Sequence, residues 1–326
     1  MKKIFDIGLG ALAALLLAAA LSACAGSTGN ETKKLSVVTT VFPVYDWIRN
    51  VADDVDGVEV TYLLDNRVDL HSYQPTVNDM TKISKADLFV YVGGESDKWV
   101  ADALKETVNQ KQIAVALLEE LGDAAREEEI VEGMQAEEEH EEGHEEGHEY
   151  DEHVWLSLKN ASMLVGKIAE KLSEADPANK GTYEANAKAY QEKLAALDRR
   201  YKEAVDAAEV RTVVFADRFP FLYLFKDYGL NYYAAFIGCS AETEASFETV
   251  AFLAKKVDEL SLGHILTIET SDQKIANTVR DTSRTKDQVI LTMNSLQSVT
   301  AESEKAGTDY LSVMEENLKV LTEALQ

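Results

Sequence analysis

Eight short β-branched runs, each followed by a stretch with helical spacing or a turn, constrain the fold more than any other feature of the chain. The runs are LSVVTTV (35–41), VEVTYLL (58–64), DLFVYV (87–92) and QIAVAL (112–117), then RTVVFA (211–216), NYYAAFI (231–237), HILTIE (264–269) and QVILTM (288–293). Helical stretches lie at 44–54 and 96–109 in the first half and at about 218–228, 246–260, 272–283 and 307–325 in the second. Strand and helix in alternation predict parallel sheets covered on both faces. Roughly 300 residues beyond the leader exceed one ordinary core, so two α/β lobes are expected. Between them, 158–175 reads as an amphipathic helix, and Asp176-Pro177 opens another that runs to about Ala208. No Pro or Gly interrupts it after Gly181, giving a rigid spine of ~45 Å. Apolar a/d spacing is not sustained over enough heptads for a coiled coil.

In open parallel sheets, ligands bind beyond the carboxyl ends of the strands. The run 58–64 ends in LDNRVDLHSYQP, which places His71 at such an end, before Pro75 opens a helix at its first turn. In the second half the carboxyl ends carry Asp217, then Cys239 with Glu242 and Glu244, then Glu269, then Asn294. These mixed oxygen, nitrogen and sulfur donors would converge in an interlobe cleft. Glu242 and Glu244 also read as acids at the start of the following helix. His264 opens a strand at its amino end and reads as structural, and FPFLYLF (219–225) reads as helix core.

One stretch stands outside the alternation. Residues 127–152 contain fourteen Asp or Glu and no Lys or Arg, and hold His140, His144 and His148. The imidazoles recur every four residues, as on one helix face, but Gly143 and Gly147 argue against a stable helix without metal. Imidazole suits zinc and its neighbours, and the negative charge concentrates cations, so the loop reads as a metal collector. His153 follows it at the head of an apolar, β-prone HVWL run and belongs to an ordered site. The net charge of −26 owes fourteen units to this loop, leaving −12 elsewhere. No basic footprint marks a nucleic-acid partner.

Residues 1–23 have the layout of an export signal: Lys2 and Lys3, then an apolar run from Ile7 to Leu21. That run falls short of the ~20 residues of a spanning helix. Leu21-Ser22-Ala23-Cys24 resembles the lipobox of bacterial lipoproteins, which implies that Cys24 carries lipid and anchors the chain to the extracytoplasmic face of a cell membrane. Residues 24–34 then form a flexible tether. Cys239 is the only other cysteine; with Cys24 lipidated it is a buried thiol or a metal ligand.

Together the lipobox, LDNRVDLHSYQP, DEHVWLSL, the spine helix and the two α/β halves resemble the zinc and manganese class of metal-binding proteins of bacterial ATP-binding-cassette importers. The His-rich acidic loop resembles that of the zinc members. The resemblance implies two Rossmann-like lobes joined by a long rigid backbone helix: an N-terminal lobe (35–175), a linking helix (176–208) and a C-terminal lobe (209–326). It also implies that His71 and His153 are the first two metal ligands. Two further positions depart from the family: Ala216 stands where a third His or a Glu is usual, and Asn294 where an Asp is common. Cys239 is the first-choice substitute, since a His-His-Cys set favours zinc. Asp217 is the second, although it would equally cap a helix or pair with Arg218.

The expected function is therefore a monomeric zinc-binding protein, not an enzyme, that delivers Zn²⁺ to a membrane permease. Manganese or iron uptake is the alternative within the class. A surface zinc hydrolase, with Glu269 or Glu244 as base, is the alternative outside it.

Overall fold

The fold is that of a computed structural model describing residues 34–65, 69–135, 149–240 and 244–326. All eight expected strands form: β1 (Leu35–Thr39), β2 (Val58–Tyr62), β3 (Leu88–Tyr91), β4 (Ile113–Ala116), β5 (Thr212–Phe219), β6 (Asn231–Ile237), β7 (His264–Ile268) and β8 (Val289–Met293). They make two parallel four-stranded sheets with the same winding, β2-β1-β3-β4 and β6-β5-β7-β8. In each sheet the strand order reverses at the first strand, so the switch point that receives ligands lies beyond β1 and β3 in one lobe and β5 and β7 in the other.

Several local expectations need correction. β5 does not stop at Ala216 but runs through a register shift between Phe215 and Arg218 to Phe219. Such irregularities re-aim side chains at a sheet rim, and here Asp217 and Arg218 stand at the shift. Phe219 accordingly belongs to the strand, and the helix after it begins at Leu222. The HVWL run forms a buried 3-10 turn, Val154–Leu156, not an extended edge. Pro75 precedes the N-cap of its helix; Thr76 caps Val77–Lys85 through a capping box with Asp79.

The spine is the helix Lys180–Ala207, 28 residues and so ~42 Å long. Its buried residues Tyr183, Ala187, Tyr190, Leu194, Leu197, Tyr201 and Val205 fall on one face at three- and four-residue steps. Leu158–Ala175 packs along it. The spine tyrosines hold both halves of the molecule: Tyr190 donates to Asp46 in the first lobe (3.1 Å), and Tyr201 donates to the Met314 carbonyl in the C-terminal helix Tyr310–Ala324 (2.6 Å). One hydrophobic cluster runs through both lobes, from Leu35 to Leu325, and a smaller one lies on the other side of the second sheet.

Trp155 joins the lobes just after His153. It is fully buried, donates its indole N–H to the Ser295 carbonyl beyond β8 (2.9 Å), and accepts the Tyr310 hydroxyl at its own carbonyl (2.6 Å). Removing the ring leaves a cavity and strands a buried carbonyl, so Trp155→Ala is expected to cost about 3–5 kcal/mol. A denaturant titration checks this; a loss below about 1 kcal/mol would mean that the ring does not hold the lobes together.

Candidate metal centre

His71 sits in a 3-10 turn, Leu70–Ser72, at the carboxyl side of β2. Asp69 caps the turn, accepting the His71 backbone N–H at Oδ1 (3.0 Å). The ring Nδ1 lies 2.8 Å from Ser96 Oγ and 3.4 Å from Glu152 Oε2. Glu152 is itself oriented by the Ser96 backbone N–H (2.8 Å). Burial alone would raise the Glu152 carboxyl, but hydrogen bonds from His71 and Ser96 bring it below the ordinary carboxylate value. Gly94, at φ +81°, makes the room: a Cβ there would meet Glu152 Oε1 at 2.5 Å.

His153 is completely buried. Asp151 Oδ1 accepts both its backbone N–H (2.8 Å) and its Nδ1–H (3.1 Å). Burial opposes the charged ring, yet Asp151, Glu128 and Glu152 outweigh it and raise the His153 pKa. The ring packs on Gly238, where a Cβ would stand 3.1 Å from Cε1 and Nδ1.

With each Nδ1 beside an oxygen, the two Nε2 atoms face each other at 3.3 Å. Two nitrogens bound tetrahedrally to one ion at about 2.0–2.1 Å are separated by about 3.3 Å. Carboxylate partners behind ligating imidazoles are the usual means of fixing tautomer and ring orientation.

Cys239 follows β6 and presents the third donor. Among the described residues, His71, His153 and Cys239 bring one nitrogen or sulfur each within 4.8 Å of one another. The Cys239 backbone N–H is held by Glu128 Oε1 (3.0 Å). Burial, reinforced by Asp151, Glu128 and Glu152, pushes the thiol well above its ordinary value. His71, Glu128, Glu152 and Cys239 line one cavity of about 250 Å³. Burial also moves the Glu128 carboxyl up to about 7, and its Oε2 is buried without a hydrogen-bond partner.

Asp217 does not join this group. Its Oδ1 accepts the Arg218 backbone N–H (2.8 Å), Ser271 also bonds its carboxyl, and it faces a separate cavity of about 400 Å³ that shares His71 as a wall. The alternative pairing with the Arg218 side chain is not made either: that guanidinium reaches Asp69. Ala216 is buried within β5, and Asn294 is bonded to Leu296 and Asn317. Both departures from the family pattern are thus structural residues. Glu269 accepts bonds from Ser295 and Ser298. His140, His144, His148, Glu242 and Cys24 lie outside the described residues.

The sequence pattern did not single out Asp69, Ser96, Glu128, Asp151 or Glu152. The available signals were Gly93-Gly94 at the end of β3, where a second chain segment must approach closely, and the acids directly before His153. Glu128, Asp151 and Glu152 were hidden within a run of fourteen acids.

The chain is similar to known zinc-binding and zinc-uptake proteins. The family model described as zinc-uptake complex component A, periplasmic, matches residues 37–324. The chain is 37% identical over 325 residues to the zinc-binding lipoprotein AdcA of Streptococcus pneumoniae, covering 98% of this chain and 60% of that protein. It thus spans about three-fifths of the length of that relative. It is 33% identical over 313 residues to the high-affinity zinc uptake system protein ZnuA of Bacillus subtilis, covering 95% and 94%. Among solved structures, the Zn(II)-bound ZnuA-like domain of Streptococcus pneumoniae AdcA superposes with a TM-score of 0.70 at 34% identity, covering 90% of this chain and 99% of that one.

Proposed function

The chain belongs to the family of zinc-uptake complex A components, and on that premise we propose that it captures Zn²⁺ at His71, His153 and Cys239 and delivers it to the membrane permease of an ATP-binding-cassette importer. The observation that carries this reading is the pair of facing Nε2 atoms, each ring backed by carboxylate oxygen, with a thiol completing the set. Nitrogen and sulfur donors favour zinc over manganese, which prefers oxygen. Glu128, with a buried free oxygen beside Cys239, is better placed than Asp217 to supply a fourth donor. Hydrolysis would need a general base beside metal-bound water, and the suggested base Glu269 is engaged by two serines.

Cys24 is the proposed lipid attachment point, which would hold the protein on the extracytoplasmic face; no helix among the described residues is long and apolar enough to cross a membrane. His140, His144 and His148 are the proposed collecting groups, passing the ion inward by ligand exchange. Competition titration and stopped-flow loading of the intact chain and of a chain lacking 137–148 test both parts. One tight zinc site of unchanged affinity, loaded more slowly, is the expected result for the deletion. Loss of tight binding would place the site in the loop instead.

A further inference from the structure

Arg218 supplies no donor to the metal, yet it touches two of the three segments that do. From the second lobe, its Nη2 donates to Asp69 Oδ2 at 2.9 Å, and the other oxygen of that carboxylate accepts the His71 backbone N–H. Its Nη1 donates to the Ser240 carbonyl at 3.2 Å, one residue beyond Cys239. A single planar fork therefore runs from the turn that carries His71 to the loop that carries Cys239. The register shift in β5 aims it there, because the strand continues past Phe215 and pairs Arg218 with Phe236.

We propose that Arg218 is a positioning residue of the metal centre: its guanidinium ties the His71 turn of one lobe to the Cys239 loop of the other and so sets how long the ion is held. This rests on the zinc-capture reading above. The two side chains are only 16% and 23% exposed, so the pair is shielded from water and salt more than a surface ion pair is. Separating the two donor loops requires breaking a charge-assisted bond. Lysine keeps the charge but offers a point donor on a flexible stem, so it does not bridge two acceptors in fixed directions.

The test compares wild type with Arg218→Lys, Asp69→Asn and the double variant, at a temperature where all are folded by circular dichroism. Zinc dissociation is timed by transfer to a chelator, and Co²⁺ alone is added to read donor geometry from its visible absorption. Each single variant is expected to release zinc about 10- to 100-fold faster, the range for groups that orient metal ligands, with shifted cobalt bands. The double variant is expected to be no faster than the faster single one, because both changes break one link. Wild-type release rates and cobalt spectra in the single variants, or effects that multiply in the double variant, would overturn the proposal. A merely structural role would lower the melting temperature of the metal-free protein and leave the cobalt spectrum alone. Wild type that binds no zinc would instead defeat the zinc-capture reading itself.

Discussion

Replacing Cys239 with alanine is expected to weaken zinc binding on the order of 100-fold, or about 2.8 kcal/mol. The thiol is one of three donors that the described residues bring within 4.8 Å. Its removal leaves two imidazoles, and Glu128, which lines the same cavity, then lacks the sulfur beside it. Thiolate is also the softest ligand of the set, so the same substitution narrows the preference for zinc over manganese. Competition titrations of both metals on Cys239→Ala and wild type check this. An unchanged zinc constant would remove Cys239 from the centre.

The second large effect is that of pH. Ligands bind metal only after losing their protons, so protons and zinc compete. Burial, together with the charges of Asp151, Glu128 and Glu152, pushes the Cys239 thiol well above its ordinary value, so the metal-free protein keeps that proton through neutral pH. For His153, burial favours the neutral ring, but Asp151, Glu128 and Glu152 more than offset it and raise the pKa. Both shifts act in one direction. A raised pKa means a proton held to higher pH, so affinity falls as pH falls through it. The thiol alone gives about tenfold per pH unit, and His153 steepens the slope on the acid side. Between pH 8 and pH 6 the loss is expected to reach ~100-fold or more, and calorimetry in buffers of different ionisation enthalpy should count at least one proton released per zinc bound. An affinity flat over that range, with no proton release, would contradict the assigned ligands.

The fold was legible because its signals are local. Each of β1 to β8 is a β-branched run bounded by turns or helices, and the spine lacks breakers after Gly181. His71 and His153 could be placed because strand ends and an abrupt change of composition mark them. Asp217 stands apart from the three grouped donors for a physical reason: β5 was expected to end at Ala216, whereas its register shift and continuation turn Asp217 toward Ser271 and send Arg218 to Asp69. An irregularity of this kind is set by pairing with Phe236 and Ile237 on the neighbouring strand, which local spacing does not encode. The carboxylates behind the rings escaped for the opposite reason. Glu128, Asp151 and Glu152 sit among eleven other acids of the same stretch, and only tertiary packing separates the three that touch the centre.

X-ray absorption at the zinc edge, on protein lacking 137–148 and loaded with one equivalent of Zn²⁺, tests the central claim most directly. The deletion removes His140, His144 and His148, so the signal reports the built site. The structure predicts one sulfur at about 2.3 Å and imidazole nitrogens at about 2.0–2.1 Å, with the imidazole contribution lost together with His71 and His153. A first shell of nitrogen and oxygen without sulfur would contradict the His71, His153 and Cys239 centre.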